Sequence, residues 1–302
     1  MNVLVTGGSG FIGSHVVAEL LARKMTPVIF DRHVRRPPQG CELILGDVRD
    51  PVAVTEAVAH ADGVIHLAAV LGTQETIANP RPAAETNVLG SLNVFEAVAQ
   101  YRVPAALAAV GNHWMDNGYS ISKTCAERFA SMYNGERGTS IAVVRALNAY
   151  GPGQSVAAPY GHSKVRKIMP SFVCRALAGD PIEVYGDGSQ QMDMVHVGDV
   201  AWCFVEAMLV GPRADGRVYE AGTGFGPEVR DIAQVVIDTV GQGEIVHLPM
   251  RPGEPDHSVV VADTSTLTPI WPQERRFIDL VSGVEETVAW YRQAEGVHWS
   301  NR

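Results

Sequence analysis

Residues 2–31 read NVLVTGGSGFIGSHVVAELLARKMTPVIFD. NVLVTG is a short apolar run rich in β-branched residues that ends on glycine, the pattern of a buried strand. Glycines stand at Gly7, Gly10 and Gly13, and apolar residues then recur at helical spacing. PVIFD reads as a second strand closing on Asp31. A triple glycine between a strand and a helix has a specific use. Its backbone turns tightly and approaches a pyrophosphate closely, while the helix start offers free N–H groups and a positive dipole end. An acid at the end of the second strand takes both hydroxyls of an adenosine ribose and repels a 2′-phosphate. The order therefore predicts a dinucleotide site that takes NAD rather than NADP, with Arg32 pulling weakly the other way.

Outward from this segment the alternation continues. CELILGD reads as strand and DPVAVTEAVAHA as helix. GVIHLAA is a strand, PAAETNVLGSLNVFEAVAQYR a helix, AALAAV a strand, YSISKTCAERFASMYNGE a helix and SIAVVRALN a strand. Such alternation predicts an α/β fold, a parallel sheet with helices on both faces. Ligands of these sheets bind beyond the carboxyl ends of the strands, where Gly10, Asp31, Asp47, Ala68 and Gly111 fall. After residue 150 the texture becomes irregular. The expected division is a nucleotide domain over 1–149, with 198–211 and 270–302 packing back on it, and a smaller mixed α/β substrate lobe over 150–197 and 212–269.

The chain has 302 residues, enough for one large α/β domain or two lobes. Apolar residues make up 46% and charged residues 19%, the balance of a soluble globular protein. A formal charge of −9 disfavours nucleic acid as a partner, which would want a basic face. Cys41, Cys125, Cys174 and Cys203 are too far apart for CxxC or zinc spacing, so no metal site is expected and reduced thiols suit a cytoplasmic protein. The start MNVLVTGG has no basic leader, and no run of eighteen apolar residues occurs, so neither secretion nor a membrane partner is expected.

Residues 110–123 read VGNHWMDNGYSISK and place Tyr119 four positions before Lys123. Residues four apart share a helix face. An ammonium beside a phenol favours the phenolate and makes it a usable base. A second copy of the spacing, Tyr160 and Lys164 in YGHSK, leaves the choice open on spacing alone.

Further segments carry a resemblance. TGGSGFIG, GDVRD, HLAA, ETNVLGSLNVFEA, YSISK, VRALNAYGPGQ, IEVYGDG and VHVGDVA occur in one order along nearly the whole chain. Together they resemble the extended short-chain dehydrogenase/reductase family, in its nucleotide-sugar epimerase and dehydratase branch. The resemblance implies a Rossmann-type doubly wound sheet and NAD as cofactor. It implies cofactor contacts from Gly7, Gly10, Phe11, Ile12 and Gly13, and from Asp31, Arg32, Asp47 and Val48. It extends them to Leu67, Ala68 and Ala69, to Asn87 and Val110, and to Tyr119 and Lys123. It also settles the two copies. The family's Tyr-x-x-x-Lys helix precedes the RxxNxYGPG segment, as Tyr119 does and Tyr160 does not. Tyr119 and Lys123 are then catalytic, and Tyr160 and Lys164 belong to a lobe loop, Tyr160 as surface packing or, alternatively, as a substrate contact.

The departures bear on substrate. Relatives end the strand before the tyrosine on a serine or threonine that bonds the substrate oxygen. Here Val110, Gly111 and Asn112 stand there, and the segment up to Tyr119 is short. Asn112 replaces the donor through its amide, or His113 does, or Thr73 supplies a hydroxyl from another loop, or Asn112 and His113 are loop residues turned elsewhere. Gly111, Asn112 and His113 occupy the positions where dehydratases and decarboxylases carry acids, which counts against dehydration, although Glu75 offers a carboxylate from another loop. Relatives that bind a sugar nucleotide use an arginine where Met192 stands. Arg251 in MRPGEPD matches their second diphosphate arginine, Asn148 matches a substrate contact, and Lys164, Arg166 or Lys167 compensates for Met192. The expected activity is epimerisation of a nucleoside-diphosphate sugar through oxidation at C4. A dehydratase or 4-ketoreductase on the same scaffold is the alternative, and a non-catalytic dinucleotide sensor a further one. Helices over 83–101 and 118–134 lie where relatives pair into homodimers; Ala97, Phe129 and Met132 serve either such a contact or core packing.

Overall fold

The computed structural model describes residues 1–33, 38–251 and 254–294. Two compact units emerge. The first comprises Met1–Ala146, Gly198–Ala221 and Asp263–Arg275, and the second Leu147–Val197, Gly222–Ala262 and the chain from Arg276.

The first unit is built on a seven-stranded sheet. Its strands are β1 (Asn2–Thr6), β2 (Thr26–Asp31), β3 (Glu42–Leu45), β4 (Gly63–His66), β5 (Ala105–Val110) and β6 (Ile141–Ala146). The seventh, which follows four short strands of the second unit and is therefore numbered β11, spans Tyr219–Ala221. The order is β11-β6-β5-β4-β1-β2-β3, with every pair parallel. This is an α/β fold of the Rossmann type. The inner strands β1, β4 and β5 are buried almost throughout, which is why they read as continuous apolar runs rather than alternating ones. Helices α1 (Phe11–Ala22), α2 (Pro51–Val58), α5 (Gly90–Tyr101) and α6 (Gly118–Arg137) join the strands. Between β4 and α5 lie two short helices, α3 (Thr73–Ala78) and α4 (Arg81–Ala83), and a π-helical turn, Ala84–Leu89. Strand order reverses between β1 and β4, so the loops after these two strands diverge and leave a crevice at the sheet's carboxyl edge. Ala97 is 1% exposed and belongs to the core, and Phe129 packs against that core; only Met132, 38% exposed, is available to a partner.

The second unit has three two-stranded parallel ladders. They pair β7 (Asn148–Tyr150) with β10 (Met194–His196), β8 (Ile182–Tyr185) with β12 (Ile245–Leu248), and β9 (Gln191–Met192) with β13 (Val259–Val260). Helices α7 (Ile168–Ala178), α9 (Val229–Val240) and α10 (Leu280–Gln293) pack on them. The remaining helix, α8 (Val197–Val210), begins at the boundary and runs into the first unit.

Several boundaries differ from the sequence expectation: residues 147–149, expected in the nucleotide domain, open the second unit, and residues 263–269, expected in the lobe, belong to the first. Residues 212–221, expected in the lobe, carry β11, which pairs with the outer edge of β6 in the first unit. Arg145 of β6 fastens this edge through Glu127 of α6 at 2.6 Å and Glu220 of β11 at 3.3 Å. Of 270–302, expected to pack back on the sheet, only the part through Arg275 does so. Helix α10 joins the second unit because Val284, Val288 and Tyr291 bury themselves in its core.

Candidate active site

The crevice begins at the glycine turn. Gly7 has φ +72°, and a Cβ there would lie 2.8 Å from the Ala68 amide nitrogen. A Cβ on Gly13 would lie 2.2 Å from the Gly7 carbonyl oxygen, so no larger residue fits either place. Gly10 precedes α1 without a side-chain cap, which leaves the helix start at Phe11 and Ile12 to an external acceptor. Asp31, at the end of β2, accepts from the Ser9 amide at 3.1 Å and is tied to the same turn. The arrangement fits a dinucleotide diphosphate and an adenosine ribose.

On the other side of the crevice, α6 carries Tyr119 and Lys123. Asn117 starts the helix by accepting from the Ser120 amide at 2.9 Å. The Tyr119 amide is held from a different segment, at 2.9 Å, by the hydroxyl of Thr76 in α3. A Cβ on Gly118 would lie 2.8 Å from the Thr76 carbonyl oxygen, so the contact depends on glycine. Lys123 is 2% exposed, and its Nζ has no hydrogen-bond partner among the described residues. A buried ammonium of that kind fits a hydroxyl-rich group such as ribose.

The electrostatics differ from the sequence expectation. There the lysine draws the phenol toward its ionised form. In the folded chain burial prevails: Tyr119 is pushed up to about 12, and Lys123 is brought down to about 8. At neutral pH Tyr119 is a phenol and a proton donor.

The remaining candidates divide. Leu67, Ala68 and Ala69 form the loop after β4, against the glycine turn. Arg32 lies 3.8 Å from Asp47, whose carboxylate is held by Arg49 at 2.6 Å. Val48 and Val110 are both 4% exposed and their side chains belong to the core. Asn87 is fully buried and commits its amide to both backbone groups of Val70 and to Ser122, so its side chain is a clamp on the loop after β4 rather than a cofactor ligand. Asn112 turns its amide to Met115 Sδ at 3.2 Å, and the His113 ring bonds the Gly111 carbonyl at 3.2 Å. Glu75 is exposed and curls against Gly72. Thr73 has no side-chain partner among the described residues; it lies one turn before Thr76 on the same face of α3.

In the second unit Arg251 pairs with Glu254 at 2.7 Å and lies over the Tyr185 ring at 4.7 Å. Arg166 bonds Glu183 and the Tyr185 hydroxyl, both at 2.9 Å, and Lys164 is exposed. Asn148 bonds the Asp193 carbonyl, and Met192 packs at the edge of the core. Tyr160 is not surface packing: it is 6% exposed and bonds Asp180.

Sequence reading missed Thr6, His66, Thr76, Ser91 and Ser122. Thr6, His66, Ser91 and Ser122 stood inside segments already singled out, TGGSGFIG, HLAA, ETNVLGSLNVFEA and YSISK, but Thr76 carries no local signal at all.

The family model described as NAD dependent epimerase/dehydratase matches residues 3–222. A dTDP-4-dehydro-6-deoxy-D-allose reductase of Streptomyces sp is 30% identical over 96% of this chain and 96% of its own. A dTDP-glucose 4,6-dehydratase of Streptomyces antibioticus is 29% identical over 97% of this chain and 92% of its own. Among solved structures, the UDP-glucose 4-epimerase of Thermus thermophilus in complex with NAD is 30% identical, with TM-score 0.83 over 97% of this chain and all of that one.

Proposed function

The chain belongs to the NAD dependent epimerase/dehydratase family, and we propose that within it the protein epimerises a nucleoside-diphosphate sugar by transient oxidation at C4. The observation that carries this reading is the Tyr119–Lys123 pair on α6 beside a β5 end without a carboxylate at Gly111, Asn112 or His113. A dehydratase must also remove a proton from the carbon next to the new ketone, and none of these three positions holds an acid to do so.

Bound NAD supplies a reversible two-electron acceptor beside the sugar. The glycine turn and the start of α1 hold its diphosphate, Asp31 its adenosine ribose and Lys123 its second ribose. Tyr119 takes the proton from the C4 hydroxyl and returns it when the carbon is reduced from the other face. A burial that leaves the phenol protonated means that the base form requires positive charge nearby, from Lys123 and the cofactor ring. We assign the donor missing from β5 to Thr73, because its hydroxyl has no partner among the described residues, whereas the Asn112 amide nitrogen is turned to Met115 Sδ and His113 Nδ1 to the Gly111 carbonyl. Asn148 and Arg251 are assigned to the nucleoside diphosphate. Exposed Leu89, Ile121 and Met132 on the π-helical turn and α6 are assigned to a homodimer contact.

The likeness to a deoxyallose reductase supports a second reading, a 4-ketoreductase in which Tyr119 is the proton donor from the start. The two separate cleanly. The purified protein is incubated with a panel of sugar nucleotides and products are followed by NMR. Interconversion of C4 epimers with no added cofactor supports the epimerase. Conversion only of 4-keto sugars, with stoichiometric consumption of NADH or NADPH, replaces it with the reductase. In either case Tyr119→Phe should abolish turnover and leave NAD bound; near-normal activity in that variant removes the tyrosine from the chemistry.

A further inference from the structure

We propose that His66 is a positioning residue of the active site: a buried chain of hydrogen bonds fixes it as the Nε2–H tautomer and, through it, ties the loop after β4 to the glycine turn on one side and to the tyrosine helix on the other. The role rests on the reading of Tyr119 and Lys123 given above.

Each link has a direction. Ser91 Oγ gives its single proton to the Asn87 carbonyl at 2.6 Å. It therefore has only lone pairs for His66 Nε2, 3.0 Å away, and that nitrogen must carry the hydrogen. His66 Nδ1 is then an acceptor, and the hydroxyl of Thr6 donates to it at 2.6 Å. Thr6 Oγ1 in turn accepts from the Ala68 amide at 3.3 Å. At the other end, Asn87 Oδ1 accepts from the Val70 amide at 2.7 Å, and Nδ2 donates to the Val70 carbonyl and to Ser122 Oγ, both at 3.0 Å. Ser122 passes its proton to the Tyr119 carbonyl at 2.9 Å. Each hydroxyl of the chain donates once, and the two hydrogens of Asn87 Nδ2 go to two acceptors.

The chain's members come from four segments: Thr6 from β1, His66 from β4, Asn87 and Ser91 from the π-helical turn and α5, Ser122 from α6. None is more than 5% exposed. The loop it grips, Leu67–Val70, is the one against which Gly7 packs without room for a Cβ. A π turn at Ala84–Leu89 is itself a feature concentrated at functional sites. Burial and the nearby Lys123 charge both oppose a second proton on the ring, which keeps the network in one state.

Thr6→Val and Ser91→Ala, tested in the NAD-bound protein, each break one link while preserving shape. Both are expected to lower kcat about 10- to 100-fold at nearly constant KM for the sugar nucleotide, with Thr6→Ser recovering most of the loss. ¹⁵N NMR of the wild-type histidines should show His66 as the Nε2–H tautomer between about pH 5 and 8. An Nδ1–H or cationic His66 in the wild type overturns the proposal. So does a lowered melting temperature in both variants with kcat per folded molecule unchanged, which is all that a merely structural role predicts. If the wild type turns over no sugar nucleotide, it is the proposed function that fails. The tautomer, and the NAD affinity of Thr6→Val measured by calorimetry and expected to fall, then decide the question for His66.

Discussion

Lys123 shows how function is held against stability at one residue. Its ammonium is buried and lacks a partner among the described residues. Its pKa falls from 10.5 to about 8, so between these values the unfolded chain binds more protons than the folded one. Wild-type stability therefore rises with pH across that window, and below it the whole penalty stands, about 3 kcal/mol. Lys123→Met should abolish turnover yet, with NAD removed, melt higher than the wild type at pH 7. The advantage should fade toward pH 10.5, as read by calorimetry at several pH values. A lower melting point at pH 7 would mean that the ammonium does have a partner. His66 acts at the other end of the scale. Burial holds its pKa at about 3, down from 6.5, so its neutral form contributes stability above pH 6.5 that is lost as the pH falls toward 3. The Tyr119–Lys123 spacing was legible because helix periodicity is local. The direction of the tyrosine's shift was not, because it depends on what surrounds the ring.

At the scale of elements, the start of α6 decides where the tyrosine sits. Asn117 caps the helix, Gly118 lets α3 approach, and Thr76 takes the Tyr119 amide. Asn117→Ala removes the cap and should cost about 1 kcal/mol by denaturant titration, with Asn117→Asp nearly neutral. An alanine variant as stable as the wild type would show that the Thr76 bond suffices to start the helix. The alternating strands and helices of the first unit were readable from apolar runs and 3.6-residue periodicity. The short helix α3 was not, since six residues carry less than two turns of pattern and its hold on α6 comes from a residue 43 positions away. The π turn at Ala84–Leu89 was likewise read as ordinary helix, because both share the same apolar stripe.

At the scale of the whole molecule, the chain passes between its units several times, and the tail shows why composition misjudges this. Tyr291 of α10 is fully buried in the second unit, and its hydroxyl bonds the Gln154 carbonyl at 2.5 Å. Tyr291→Ala should cost about 3–5 kcal/mol by thermal or denaturant unfolding. A loss below 1 kcal/mol would place α10 outside that core. The sequence by itself determined the sheet, the glycine turn, the terminal acid and the Tyr119–Lys123 spacing, because each is written in neighbouring residues and constrained by backbone geometry. Only the tertiary structure decided which hydroxyls are free, which polar groups are locked into the His66 chain, and where β11 and α10 belong. Those are properties of partners far apart in the chain, and burial, which sets their energies, exists only once the chain has closed around them.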